Sequence, residues 1–318
     1  MAEHFDVVVG IPSYKEESTI KNVAEMASRG LEIYFPGEKA VIVNCDNASP
    51  DGTREAFLSA ETSAPKKYIS TPEGVRGKGA NFENLFSFFL SSGAGWGLVV
   101  DADIRSITPE WIRHLGEPVA EKGFDLVTPL YARHQFDGTI TNHLVYPLVF
   151  ALAGVDVRQP IGGDFAFSRR MCAHWTRQEW SAHVRQYGID VYMTLKAIMG
   201  GFAICESGLG SKVHKASAPK VGEMFTQVVY TLFSLLAEKA GVCEDPCMGG
   251  EVPSAWDGSR VRRVERFVPP RVRTDQGSGG KTPFPLRPFP HAHHVRHGPL
   301  QYGRHALVPA GVHPVLRV

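Results

Sequence analysis

Two aspartates one residue apart, Asp101 and Asp103, close the apolar run Gly97-Leu98-Val99-Val100. Such a run reads as a buried strand, and residues i and i+2 at its end project to the same side. Both carboxylates can then address one divalent cation, directly or through water. A hard cation held by one or two carboxylates keeps positions open for substrate phosphates, which suits an enzyme that handles a nucleoside diphosphate. The bland alternative is a solvated turn pair. His214, in Gly210-Ser211-Lys212-Val213-His214, follows a later strand and a Gly turn, where an imidazole can complete a metal site from the second half of the chain. A lone histidine is more often structural. Lys78 lies between Gly77 and Gly79 at a helix start, where backbone N–H groups favour anions and the ammonium adds a point charge. The spacing is not that of a Walker loop, and a plain helix-start turn is the competing reading.

Other polar residues carry two readings each. Asp46 follows a strand and either accepts from a base or ribose hydroxyl or closes an Asx turn toward Thr53. Gly162-Gly163-Asp164 permits close approach of backbone to a ligand. Asp190 heads a helix, where an N-cap is the structural reading.

The elements that must position these residues alternate. Strands are expected over 6–11, 40–44, 68–70 and 97–100, with helices over 20–30, 53–61 and 80–90 between them. That order is the signature of a parallel sheet with helices on its faces, and ligands in such sheets bind at the carboxyl ends of the strands. Each polar cluster of this half falls at such an end: 12–17, Asp46, 76–78 and 101–103. Farther on, strands are expected over 124–129, after Gly163 and over 202–206, with helices over 142–153, 190–198 and 221–239. The fold class is therefore α/β.

Composition narrows the partners. Of 318 residues, 43% are hydrophobic and 21% charged, as in an ordinary globular protein, and the net charge of +1 gives no argument for nucleic acid or an anionic membrane. Cysteines at 45, 172, 205, 243 and 247 follow neither a disulfide framework nor a zinc site, so reduced thiols in a cytoplasmic protein are expected. The longest apolar stretch, 144–155, is too short for a membrane span, and the N-terminus lacks the pattern of a secretory signal.

From Asp245 the character changes. Residues 245–318 hold ten Arg and one Lys against five acids, a net of +6, with eleven of the 22 prolines and six of the 13 histidines. A domain over 1–244 (nucleotide-binding half about 1–105, acceptor half about 106–244) and an irregular tail over 245–318 are expected. The tail reads either as a natural disordered segment or as GC-rich coding sequence translated out of frame. Its histidines at 291, 293, 294 and 297 are read as incidental.

Together these residues resemble the GT-A fold, family 2-like glycosyltransferases, notably mannosylglycerate synthase and glucosyl-3-phosphoglycerate synthase, over residues 6 to about 240. The matching pieces are 11–17, 76–79, 101–104 with 109–112, 159–164, 187–190 and 212–214. The resemblance implies a mixed, mainly parallel sheet with flanking helices. It also implies metal-dependent, retaining transfer of a hexose from a UDP- or GDP-linked sugar to a small anionic acceptor such as glycerate or 3-phosphoglycerate. Carried over by residue, it implies that Pro12, Glu16 or Glu17, and Asp46 line the nucleoside pocket, and that Lys78 contacts the donor. Asp103, with Asp101 beside it, and His214 would bind Mg²⁺ or Mn²⁺. Gly162, Gly163 and Asp164 would border the donor sugar and acceptor, Arg133 and Thr141 the acceptor, and Asp190 the reacting centre. A homodimer is a further expectation. Asp164 departs from the Glu often found there, and the tail stands where relatives continue with helices. The rivals are a sugar nucleotidyltransferase, whose Gly-rich loop after the first strand is replaced here by Pro12-Ser13-Tyr14-Lys15, and a nucleotide-sugar-binding remnant without turnover.

Overall fold

The computed structural model describes residues 3–133, 137–215, 221–240 and 262–267. The first half winds as the alternation predicts: β1 (Val7–Ser13), α1 (Ile20–Tyr34), β2 (Ala40–Asp46), α2 (Thr53–Leu58), β3 (Lys66–Ser70), α3 (Lys78–Ser91) and β4 (Trp96–Val99). All seven residues of β1 are buried. A strand covered on both faces needs no polar alternation, which is why this one reads as a continuous apolar run. Val7, Val9 and Ile11 face the layer of α1, while Val8 faces the layer of α3. On that second face Phe82, Phe86, Phe89, Phe167 and Trp175 pack ring against ring, each fully or nearly fully buried. Each phenylalanine contributes about 1.5–3 kcal/mol by leaving water.

The second half is less regular. It runs through α4 (Pro109–Ala120), β5 (Leu126–Ala132), a three-residue α5 (Tyr146–Leu148) between wide π turns (Thr141–Val145 and Val149–Ala153), and β6 (Val155–Asp156). It continues through β7 (Phe165–Ser168), α6 (Arg169–Thr176), another π turn (Val184–Gly188), α7 (Ile189–Met199), β8 (Ile204–Ser211) and α8 (Val221–Ala240). Two short strands follow, β9 (Arg262–Arg263) and β10 (Glu265–Phe267).

The main sheet has the order β10-β8-β5-β7-β4-β1-β2-β3. Every strand is parallel to the others except β7, which is antiparallel to both β4 and β5. That reversal brings the N-terminal end of β7, not its C-terminal end, to the edge where β1, β2, β4, β5 and β8 finish.

Chain described beyond the expected domain limit at 244 joins the sheets. The compact unit runs to Pro270, and β10 extends the sheet by pairing with β8 (Arg266 opposite Glu206) while β9 pairs with β6. A strand of two or three residues at a sheet edge is held by backbone hydrogen bonds, so a Pro- and Arg-rich context hides it from any reading of composition. The rest of the tail expectation, at 245–261 and 268–318, lies outside the described residues. Among the described residues no helix is long and apolar enough to cross a membrane.

Candidate active site

The strand ends enclose a cluster of opposite charges. Lys78 is the first residue of α3, and its Nζ lies 3.0 Å from Asp101 Oδ1 and 3.2 Å from Asp190 Oδ2. Lys212, just past β8, lies 3.0 Å from Asp101 Oδ2 and 2.8 Å from Asp164 Oδ2, and also donates to the Gly162 carbonyl at 3.0 Å. Asp164 accepts the backbone N–H of Asp101 at 2.7 Å, and the Tyr131 hydroxyl donates to its other oxygen. Carboxylate and ammonium thus alternate from Asp190 through Lys78, Asp101 and Lys212 to Asp164.

Glycines make this packing feasible. Gly163 has φ +90°, and a Cβ there would sit 2.2 Å from Asp101 Oδ2. Around Lys78, a Cβ on Gly77 (φ +140°) would meet the Arg185 carbonyl at 2.2 Å and one on Gly79 the Val184 carbonyl at 2.0 Å. The Gly-Lys-Gly sequence therefore lets the 184–186 backbone close onto the start of α3, and that backbone leads directly into Asp190.

The charges respond. Burial would raise the Asp101 carboxyl, but Lys78 and Lys212 outweigh it and hold the group well below the usual carboxylate range. Burial opposes the charge on both lysines as well, and their aspartates overcome it and raise them. Asp190 goes the other way: burial pushes it up despite Lys78, and its buried Oδ1 has no hydrogen-bond partner among the described residues. Asp103 is also raised, by burial and then by the neighbouring Asp101.

Asp103 and His214, 111 positions apart, face each other with Oδ2 to Nδ1 at 3.9 Å. The other ring nitrogen, Nε2, lies 3.4 Å from Asp137 Oδ2, and Asp137 in turn lies 3.2 Å from Arg133 Nη1. Arg133 Nε donates to Gln159 Oε1 at 3.4 Å, and the guanidinium lies over the Tyr131 ring. Among the described residues no group of three or more His, Cys, Asp or Glu converges to hold a metal by itself. One carboxylate and one imidazole nevertheless fit Mg²⁺ or Mn²⁺ in the way such ions are usually held, with diphosphate oxygens and water filling the remaining positions. A carboxylate on the second ring nitrogen, as Asp137 supplies, is the usual device for orienting a ligating imidazole.

Several expected roles change. Asp101, expected as a metal ligand and donor contact, has both oxygens on ammonium groups. Asp164, expected at the acceptor, has no exposed side-chain surface and supports Asp101, Lys212 and Tyr131 instead. Of the two readings of Asp46 the structure favours the turn. It is fully buried and accepts from Ser13 Oγ (2.6 Å), Ser49 Oγ and N (both 2.7 Å) and the Tyr68 hydroxyl (3.0 Å). Pro12 is buried near the end of β1, and Glu16 lies at the same strand end, 3.4 Å from Lys215 Nζ, while Glu17 is exposed beside Gly52. Thr141 is buried at the start of its π turn, and Gly162 packs its Cα against Pro129, where a Cβ would meet the ring at 2.1 Å. Asp190 does not cap α7 with its side chain. Sequence reasoning gave no role to Lys212 and Gln159, although both lie in matching pieces, and missed Tyr131 and Asp137. Lys212 had a signal, since it sits two residues before His214 and a buried aspartate pair requires cations.

The model of the mannosylglycerate synthase GT domain matches residues 63–234, more than half of the chain. The chain belongs to this glycosyltransferase family. Lys78, the two aspartates, 162–164, Asp190 and His214 all lie inside the matched span. No curated protein matches the chain. Among solved structures, glucosyl-3-phosphoglycerate synthase from Mycobacterium tuberculosis, in complex with Mn²⁺, UDP-glucose and phosphoglyceric acid, is similar at 24% identity and a TM-score of 0.59. The match covers 73% of this chain and 80% of that one. The same enzyme with Mg²⁺ and UDP matches equally, at 24% identity, TM-score 0.59 and the same coverage. A mycobacterial protein matches at 25% identity and TM-score 0.59, over 73% of this chain and 75% of its own. These likenesses share the GT-A fold of the glycosyltransferase.

Proposed function

We propose that this glycosyltransferase moves a hexose from a nucleoside-diphosphate sugar to a small hydroxy acid, glycerate or 3-phosphoglycerate, with a divalent cation and with retention of anomeric configuration. The observation that carries the reading is the approach of Asp103 to His214 beside the Lys78–Asp101–Lys212 network, at the carboxyl ends of the strands. The Mn²⁺, Mg²⁺, UDP-glucose and phosphoglyceric acid named with the similar structures support the same chemistry.

Asp103 and His214 are the residues that would hold the cation, which when bound neutralises the leaving diphosphate. Lys78 brings a second positive charge to the donor, already oriented by Asp101 and Asp190. Asp190 Oδ1, buried and without a hydrogen-bond partner among the described residues, would accept from a donor-sugar hydroxyl. Arg133 presents a planar fork suited to a carboxylate or phosphate, steadied by Asp137 and Gln159. The acceptor hydroxyl attacks the anomeric carbon on the face from which the diphosphate departs. The carbon–oxygen bond to the diphosphate breaks as the new one forms, and the hydroxyl proton passes to a leaving phosphate oxygen. That course requires no enzyme nucleophile, and Asp190, held by Lys78, orients rather than attacks.

The test is a panel of UDP- and GDP-sugars with Mn²⁺, with diphosphate release followed with and without glycerate or 3-phosphoglycerate. Acceptor-dependent release that disappears in Asp103→Ala is the expected result. Release of pyrophosphate from a nucleoside triphosphate, or unchanged turnover in Asp103→Ala, overturns the assignment.

A further inference from the structure

The segment 262–267 grips the acceptor half at two points. β9 pairs with Val155–Asp156, immediately before the loop that carries Arg158 and Gln159. β10 pairs with β8 and sets Arg266 opposite Glu206, with Nε 3.3 Å from Glu206 Oε2. The Glu206 side chain is fully buried, and its other oxygen accepts the backbone N–H of Arg158 at 2.5 Å. A buried carboxylate stripped of its cation is strongly destabilised, so Arg266, together with the Arg158 N–H, favours the ionised Glu206 that pins residue 158.

The next residue transmits this position. Gln159 is buried, and its amide bridges the end of β5: Nε2 donates to the Tyr131 carbonyl at 3.0 Å, while Oε1 accepts from the Tyr131 N–H at 3.3 Å and from Arg133 Nε at 3.4 Å. Moving the 158–159 backbone moves the acceptor of the Arg133 hydrogen bond. The line from the C-terminal strand to the acceptor-side guanidinium is thus continuous: Arg266, Glu206, the Arg158 N–H, Gln159, Arg133.

We propose that residues 262–267 are a positioning element for the acceptor pocket, with Arg266 acting through Glu206 and Gln159 on Arg133. The naming of that pocket rests on the function proposed above. The competing role, an edge strand that merely covers the sheet, would lower stability without singling out the acceptor.

The experiment uses the full chain with Arg266→Ala, Arg266→Lys and the double variant Glu206→Gln/Arg266→Ala. Amide hydrogen exchange over 155–160 and 130–133 is read beside steady-state kinetics with donor and acceptor varied separately. Arg266→Ala is expected to speed exchange over 155–160 and to raise the acceptor KM about tenfold, with donor KM and UDP–Mn²⁺ affinity held within about twofold. Arg266→Lys restores the cation and is expected to return both readouts toward wild type. Glu206→Gln removes the stranded charge yet still accepts from the Arg158 N–H, so the double variant is expected to fold and to recover the acceptor KM even where Arg266→Ala does not fold. Unchanged exchange over 155–160, or donor and acceptor KM rising together, overturns the proposal. If the wild-type protein transfers sugar to neither acid, the functional reading fails, and the exchange data still decide whether Arg266 positions the loop.

Discussion

Carboxylates at two places along the strand ends are satisfied by different partners. At the end of β2, Asp46 is served by neutral donors alone: two serine hydroxyls, one backbone N–H and a tyrosine hydroxyl, all from β1, β3 and the turn after β2. At the ends of β4 and β7, Asp101 and Asp164 rely on Lys78 and Lys212, and Lys212 comes from a strand end 111 positions beyond Asp101. Neutral donors fix a loop and leave no field behind. Ammonium partners leave a string of alternating charges in a poorly screened setting. The first arrangement fixes a turn, and the second leaves the charges that the function proposed above would use.

Removing a cation should separate the two regions most strongly. Lys212→Met leaves the half-buried Asp101 and the fully buried Asp164 with one ammonium fewer, and a loss of about 3–5 kcal/mol is expected in urea unfolding, with transfer activity abolished. If the loss is no larger than that of a neutral hydrogen bond, the contrast collapses. Gly163→Ala tests the same region by shape: its φ of +90° and the 2.2 Å approach to Asp101 Oδ2 predict about 1–3 kcal/mol of destabilisation and a marked fall in turnover. On the neutral side, Ser49→Ala removes a hydroxyl that donates to Asp46. A loss of about 1 kcal/mol, visible in thermal unfolding, is the expected outcome.

The smallest effect is the pH dependence, and its sign differs between carboxylates. Asp101 titrates lower in the folded than in the unfolded chain, so its contribution to stability is present above the ordinary carboxyl value of about 4 and is lost as pH falls toward its folded value. Asp190 and Glu206 titrate higher when folded. Between the ordinary value and the raised one the folded state binds the extra proton, so their contribution declines as pH rises through that window. Asp101→Asn should flatten the acid limb of a stability–pH curve measured by urea titration, and Asp190→Asn should remove the opposing slope above it. A common slope change for both would show that charge partners do not set these carboxyls.

The nucleotide-binding half was legible because its signals are local. A buried parallel strand is a short apolar run, and its carboxyl end announces itself by the first polar residues, as at Ser13, Asp46 and Asp101. The candidacies of Asp103, His214 and Lys78 came from such positions. Three things stayed hidden. The antiparallel course of β7 is not written in Phe165–Ser168, yet it is what brings Asp164 to the edge where the parallel strands finish. The strands at 262–267 are too short to carry a period. Asp101 and Asp103 look equivalent in sequence, and only the lysines distinguish them.

By itself, then, the sequence determined the order of strands and helices in the first half, the glycines that closely packed backbone requires, and the residue types able to handle a diphosphate sugar. These follow from periodicity and from local backbone sterics, which act within a few residues. Tertiary structure alone decided which aspartate is neutralised by lysine and which is left facing an imidazole, and that a strand from beyond the change of composition joins the sheet beside β8. Those outcomes depend on charges brought within about 3–4 Å by chain segments far apart in sequence, where the Coulomb energy in a buried setting is large enough to set a carboxyl's state.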